Sequence, residues 1–85
     1  MYRLEIRPKA EADFTRLDAT VEQRILDKLK ALCENCDTHR HEALRGRHRG
    51  KFRLRAAGAY RIIYTFNRRT REIIVHEVGH RSSVY

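Results

Sequence analysis

The run K-F-R-L-R-A, from Lys51 to Ala56, alternates a cation with an apolar residue, and no element but a half-buried strand accommodates that period. Residues two apart in a strand share a face. Lys51, Arg53 and Arg55 therefore lie on one side, and Phe52, Leu54 and Ala56 on the other. Ala57-Gly58 follows as a turn, and Tyr60 to Phe66 reads as the returning strand. A hairpin with one dry and one charged face needs a cover on the dry side. An 85-residue chain has room for one sheet and one helical layer.

The N-terminal half supplies that layer. Tyr2, Leu4 and Ile6 alternate with Arg3, Glu5 and Arg7, predicting a first strand with one buried face, ended by Pro8. From Lys9 to Leu17 the apolar positions Ala10, Phe14 and Leu17 recur at helical spacing, and Asp18-Ala19 breaks the pattern. Thr20 and Gln23 have the spacing of a capping box, and Val21, Ile25, Leu29, Leu32 and Cys33 continue as one apolar stripe. Cys36 to Gly50 has no periodicity and reads as a loop of about fifteen residues. After a polar turn over Asn67–Arg71, a fourth strand runs from Ile73 to Val78 and stops at Gly79. His76 shares strand parity with Ile74 and Val78, and Tyr60, Tyr64 and Phe66 face the helices. The order β-α-α-β-β-β predicts a single α+β domain over residues 1–85, a mostly antiparallel four-stranded sheet with a helical hairpin packed on one face.

The net charge of +8 is concentrated. Residues 40–71 hold 11 Lys and Arg against the single Glu42, while the flanking segments are each slightly acidic. The strand cations repel one another, and no acidic partner is evident nearby, so a polyanion is the ligand that would relieve them. Anionic lipid or an acidic protein are the competing partners. Arg61 is the sharper signal, because it sits on the parity of Ile63 in an otherwise apolar strand, and a buried guanidinium is costly unless paired. The surface reading, an arginine on the open face of the sheet, stands beside it. No apolar run approaches a membrane span, no signal peptide is recognisable, and two cysteines are too few for a disulfide framework, so a cytoplasmic protein is expected. Cys33, Cys36, His39 and His41 form C-x2-C-x2-H-x-H, but the histidines are closer than in usual zinc patterns and Cys33 also belongs to the helix stripe. No metal and no cofactor are expected.

The C-terminus, V-G-H-R-S-S-V-Y, brings His80, Arg81 and Tyr85 within six residues, types suited to proton transfer, phosphate binding and base stacking. A frayed polar tail is the plain alternative. Together with E-A-L-R-G at 42–46, K-F-R-L-R at 51–55 and Y-R-I-I-Y at 60–64, this ending resembles the RelE branch of the RelE/ParE toxin superfamily over nearly the whole chain.

The resemblance implies a toxin that enters the ribosomal A site, cuts the messenger RNA there without a metal, and is silenced by a cognate RelB-like antitoxin in a hetero-oligomer. It implies that Lys51 and Arg53 contact the RNA backbone, that Arg55 supports them, that Arg61 and Arg81 surround the scissile phosphate, and that Tyr85 is the functional C-terminal tyrosine. Arg45, Arg47, Arg49 and His48 in the preceding loop join the RNA-binding set. Two positions depart from the pattern: His80 stands where some members have lysine, and Arg53 where some use lysine. Arginine is a poor proton donor, so Arg53 is electrostatic here. The general base stays open between Tyr85, His80 and His48. The alternatives are a ParE-like toxin that inhibits DNA gyrase and an RNA-binding module without catalysis.

Overall fold

A computed structural model describes residues 1–84. The elements are β1 (Arg3–Ile6), α1 (Pro8–Phe14), α2 (Ala19–Asn35), β2 (Glu42–Ala43), β3 (Phe52–Ala56), β4 (Tyr60–Asn67), β5 (Glu72–His80) and α3 (Arg81–Val84), with a 3₁₀ turn over Gly46–His48. They form one five-stranded sheet in the order β1-β5-β4-β3-β2, in which β1 runs parallel to β5 and the remaining pairs are antiparallel. Leu54, Ala56, Ile62, Tyr64, Ile73, Val75 and Val78 point to one face, where Ala10 and Phe14 of α1 and Ile25, Leu29, Leu32 and Cys33 of α2 close over them. The predicted α+β layering, with the helical hairpin on one face, is what the chain adopts.

The differences are local. The segment read as a featureless loop contains β2, whose two residues pair Glu42 with Arg53 and Ala43 with Phe52. Two residues are too short to carry a period, so only pairing reveals them. The cap of α2 is Asp18 rather than Thr20: its carboxylate accepts from Val21 N at 3.0 Å, and Thr20 lies within the helix. α1 ends at Phe14, and Leu17 follows in a turn closed by Leu17 N donating to Phe14 O at 3.1 Å. Gly79 does not stop β5. It pairs with Arg61, and His80 pairs with Tyr60, so a neighbour on β4 keeps the ladder going. Leu4, predicted on the buried face, is 38% exposed because β1 is an edge strand.

The parity expected of His76 holds toward Ile74 and fails toward Val78. The β4–β5 register slips between Ile63, which faces Glu77, and Tyr64, which faces Val75, leaving His76 as the extra residue of a β-bulge. Val75 and Val78 both reach the core, and His76 turns the other way, to Thr65 Oγ1 at 2.9 Å from its Nε2.

Candidate nucleic-acid interface

The face opposite the helices carries Arg53 and Arg55 from β3, Arg61, Ile63 and Thr65 from β4, and His76, Glu77 and Gly79 from β5. In register, Arg55 lies beside Arg61 and Arg61 beside Gly79, which has no side chain to fill the space. Arg61 is 7% exposed. Its Nη1 donates to Tyr60 O at 2.9 Å and to Gly58 O at 3.4 Å, and its Nε is buried with no hydrogen-bond partner. Among the described residues no carboxylate lies within ion-pair distance of it. Arg81 N donates to Ala59 O at 2.8 Å. Three consecutive carbonyls, 58 to 60, thus tie Arg61 and the backbone of Arg81 to one end of the sheet. The turn that presents them has positive φ at Ala57 and Gly58, 48° and 76°.

Arg53 and Arg55 are not left to repel each other. Glu42, the only acid of the basic block, sits opposite Arg53 on β2, where Arg53 Nε donates to Oε1 at 3.0 Å and Nη2 donates to Oε2. Arg55 Nη2 reaches the same Oε2 at 3.4 Å. This corrects the expectation that no acid is near, and the reason is the unforeseen strand β2. The hydrogen bond from Arg53, with the charges of both arginines, lowers the Glu42 pKa from 4.5 to about 2. A depressed carboxylate contributes stability above its unfolded pKa and loses it as pH falls from about 4.5 through about 2. Its side chain is 41% exposed, so solvent screening keeps that contribution to about 1 kcal/mol or less. Glu42→Gln is expected to lower the denaturation midpoint slightly at pH 7 and not at pH 2. It should tighten binding of uncleavable RNA several-fold and steepen the log K against log salt slope by about 1, measured by fluorescence anisotropy.

The remaining candidates separate. Arg45, Arg47 and Arg49 are exposed on the turn before β3, and Lys51 is half-buried at its foot. His48 is 7% exposed, with Nε2 3.9 Å from Glu77 Oε2, so it braces the turn and is poorly placed to touch RNA. His80 pairs with Tyr60 and shares its face, the helical side, with the two rings edge-on at 5.6 Å. Nδ1 of His80 accepts from Ser82 N at 3.3 Å and lies 2.9 Å from Ser82 Oγ, which fixes the other nitrogen as the N–H donor. His80 is therefore not on the face of Arg61. Arg81 is exposed, and Tyr85 lies outside the described residues. Among the described residues no three His, Cys, Asp or Glu side chains gather closely enough to hold a metal, and both cysteines are buried free thiols.

One residue escaped sequence reasoning, and another entered it only as part of the sheet. His76 lies on the open face with Ile74 and Thr65, and burial, then Lys51 and Arg7, lower its pKa below 6.5, so it is neutral at pH 7. Asp13 is 7% exposed and its Oδ2 accepts from Val78 N at 2.9 Å. Its signal was legible: an acid at the second position of the stripe Ala10, Asp13, Phe14, Leu17.

Solved toxins of toxin–antitoxin pairs superpose on this small sheet covered by a helical hairpin. The toxin–antitoxin complex RelBE2 from Mycobacterium tuberculosis matches at a TM-score of 0.80 and 20% identity, covering 94% of this chain and 98% of the other. The isolated RelE toxin of E. coli matches at 0.77 and 25%, covering 100% and 92%. The YoeB–YefM complex from Staphylococcus aureus matches at 0.73 and 17%, covering 94% and 97%. No curated protein is similar enough in sequence to be recognised as a relative. Residues 4–85 match the family model of the ParE toxin of the type II toxin–antitoxin system parDE, and the chain belongs to that family. It is a type II toxin with a RelE-like fold. None of the described helices is long and apolar enough to cross a membrane.

Proposed function

We propose that this toxin is a ribosome-dependent endoribonuclease that cuts messenger RNA in the A site by attack of the ribose 2′-OH on the adjacent phosphate. The observation that carries the reading is Arg61: a guanidinium 7% exposed, with an orphaned Nε and, among the described residues, no acid beside it, is an anion site waiting for its anion. In the reaction a base takes the 2′-OH proton, the 2′-oxygen bonds to phosphorus, and the bond to the 5′-oxygen breaks. A 2′,3′-cyclic phosphate and a free 5′-OH result, the departing oxygen taking its proton from water. Arg61 and Arg81 neutralise the crowded phosphorane, and Arg53, Arg55 and Lys51 hold the neighbouring backbone. Of the three candidate bases, His48 is buried against Glu77 and Nδ1 of His80 is occupied by Ser82, so the role is assigned to Tyr85. The partner is an antitoxin whose acidic and apolar segment covers the cationic face, in keeping with the antitoxin complexes among the solved relatives.

A second reading is favoured by the family match itself: a ParE-type toxin that blocks DNA gyrase on the same scaffold. One experiment separates them. Ribosomes translating a defined message are mixed with purified toxin and the cut ends are mapped, with Arg61→Ala and Arg81→Ala alongside. Cuts within A-site codons, lost in both variants, are expected. An intact message together with blocked DNA supercoiling would transfer the assignment to gyrase.

A further inference from the structure

Where β1 ends at Ile6, opposite Val75, the outer edge of β5 loses its strand neighbour. α1 lies along that edge, and Asp13 takes the Val78 N–H. Between α1 and the last residues of β5 opens a cleft of about 310 Å³, walled by Lys9 and Arg16 on one side, Tyr60 and His80 on the other, with Glu77 and Gly79 at its mouth. It is distinct from the phosphate-facing row, yet Gly79 belongs to both, being the register partner of Arg61. The two lie on opposite faces of the sheet, and Gly79, without a side chain, is the point where they meet.

The walls are chemically complete. Tyr60 and His80 meet edge to face at 5.6 Å, so a flat group can lie only against the outer surface of one of the two rings. Because Nδ1 of His80 accepts from Ser82, its Nε2–H points outward as a fixed donor. Arg16 is exposed and supplies further donors. Glu77 is held only loosely, 3.7 Å from Lys9 Nζ and 3.9 Å from His48 Nε2, both beyond hydrogen-bond length, so its oxygens have acceptor capacity left. A planar heterocycle with donors and acceptors on its rim fits a site with rings, a directed N–H, a guanidinium and a carboxylate.

We propose that this cleft receives one nucleobase of the RNA strand whose phosphate lies against Arg61, and that Arg16, His80 and Glu77 discriminate among the bases. The proposal rests on the nuclease reading for its substrate class and deepens it, moving His80 from proton transfer to base recognition. A site with a fixed donor and a fixed acceptor leaves one of them unpaired against the wrong base, and such mismatches separate ligands strongly.

The test uses the folded toxin and the four 2′-deoxynucleoside 3′-monophosphates, with inorganic phosphate as the control, followed by NMR of the His80 and Tyr60 rings. The nucleotides are expected to shift both rings, with affinities spread at least 10-fold across the four bases, and inorganic phosphate to leave the rings unmoved. Arg16→Met should collapse the spread while keeping phosphate binding, and on ribosomes it should flatten the distribution of cut codons. Ring shifts identical for phosphate and nucleotides, or an unchanged codon distribution in a folded Arg16→Met, would overturn the cleft assignment. If the wild type fails to cut on ribosomes while the base-dependent shifts persist, the nuclease reading falls and the nucleobase site stands.

Discussion

Arg61→Met is expected to cut message about 10²–10³-fold more slowly than the wild type and to be the more stable protein of the two. The two halves of that result come from one cause. Arg61 sits at 7% exposure and donates to two backbone carbonyls, so its charge is desolvated without a counter-charge among the described residues. Methionine has similar length and no charge. Replacing a poorly compensated buried ion by an apolar group of similar volume is neutral to stabilising, by about 1 kcal/mol or more, and in a domain of this size each kcal/mol moves Tm by about 4–8 °C. Cleavage should fall because the planar fork that meets two phosphate oxygens is gone. Thermal unfolding and single-turnover cleavage on ribosomes, run on the same preparations, check both. An arginine with a structural role would give the opposite sign in the melt, and a cleavage rate within a few-fold of wild type would remove the phosphate assignment.

That conflict between stability and charge was visible in the sequence at one position and invisible at the next. Arg61 announced itself because a strict alternation places it on the parity of Ile63, inside a strand of Ile, Tyr and Phe. Periodicity also served the helical stripe and the hairpin, whose turn falls where Ala57-Gly58 foretold. What it could not reach were contacts made by elements shorter than their own period. β2 has two residues, so Glu42 looked like one acid in a basic block until pairing set it against Arg53. The bulge at His76 inverts a parity that counting by twos had fixed, since one inserted residue exchanges the faces of everything beyond it. His80 was misplaced for a related reason. With β5 read as ending at Gly79, the histidine belonged to a free tail. Continuing the ladder by two residues assigns it to the helical face beside Tyr60.

Glu42 changes what the strand cations are for. Without it Arg53 and Arg55 would spread apart, and an incoming phosphate would have to order them. Held by one carboxylate, they already share a geometry, and an anion arriving at Arg61 finds the adjacent row in place. The same arrangement limits how basic the surface can be, since one charge of the row is cancelled internally. An antitoxin carrying acidic side chains would then compete for cations already accustomed to a carboxylate partner. Association should therefore weaken steadily with salt.

Asp13 carries the second large effect. Its Oδ2 accepts the Val78 N–H, which has no strand to donate to once β1 has ended, and its Oδ1 receives Lys9 Nζ at 2.7 Å. One buried side chain thereby stands in for a missing strand. It pins the segment of β5 that carries Glu77, Gly79 and His80. Asp13→Ala is expected to lose about 2–4 kcal/mol, because the buried Val78 N–H loses its acceptor and the carboxylate's packing goes with it. Asp13→Asn keeps a carbonyl oxygen for Val78 and gives up only the ion pair to Lys9, which is 61% exposed, so its cost should stay below about 1 kcal/mol. Chemical denaturation of the three proteins measures the stabilities, and amide exchange at Val78 locates the damage: fast in the alanine variant, protected in the asparagine variant. Equal destabilisation by both would mean that the charge of Asp13, paired with Lys9 inside α1, carries the stability rather than the hydrogen bond that ties α1 to the strand edge. Because β5 also aligns Gly79 with Arg61, cleavage should follow the amide and not the charge, collapsing in Asp13→Ala and surviving in Asp13→Asn.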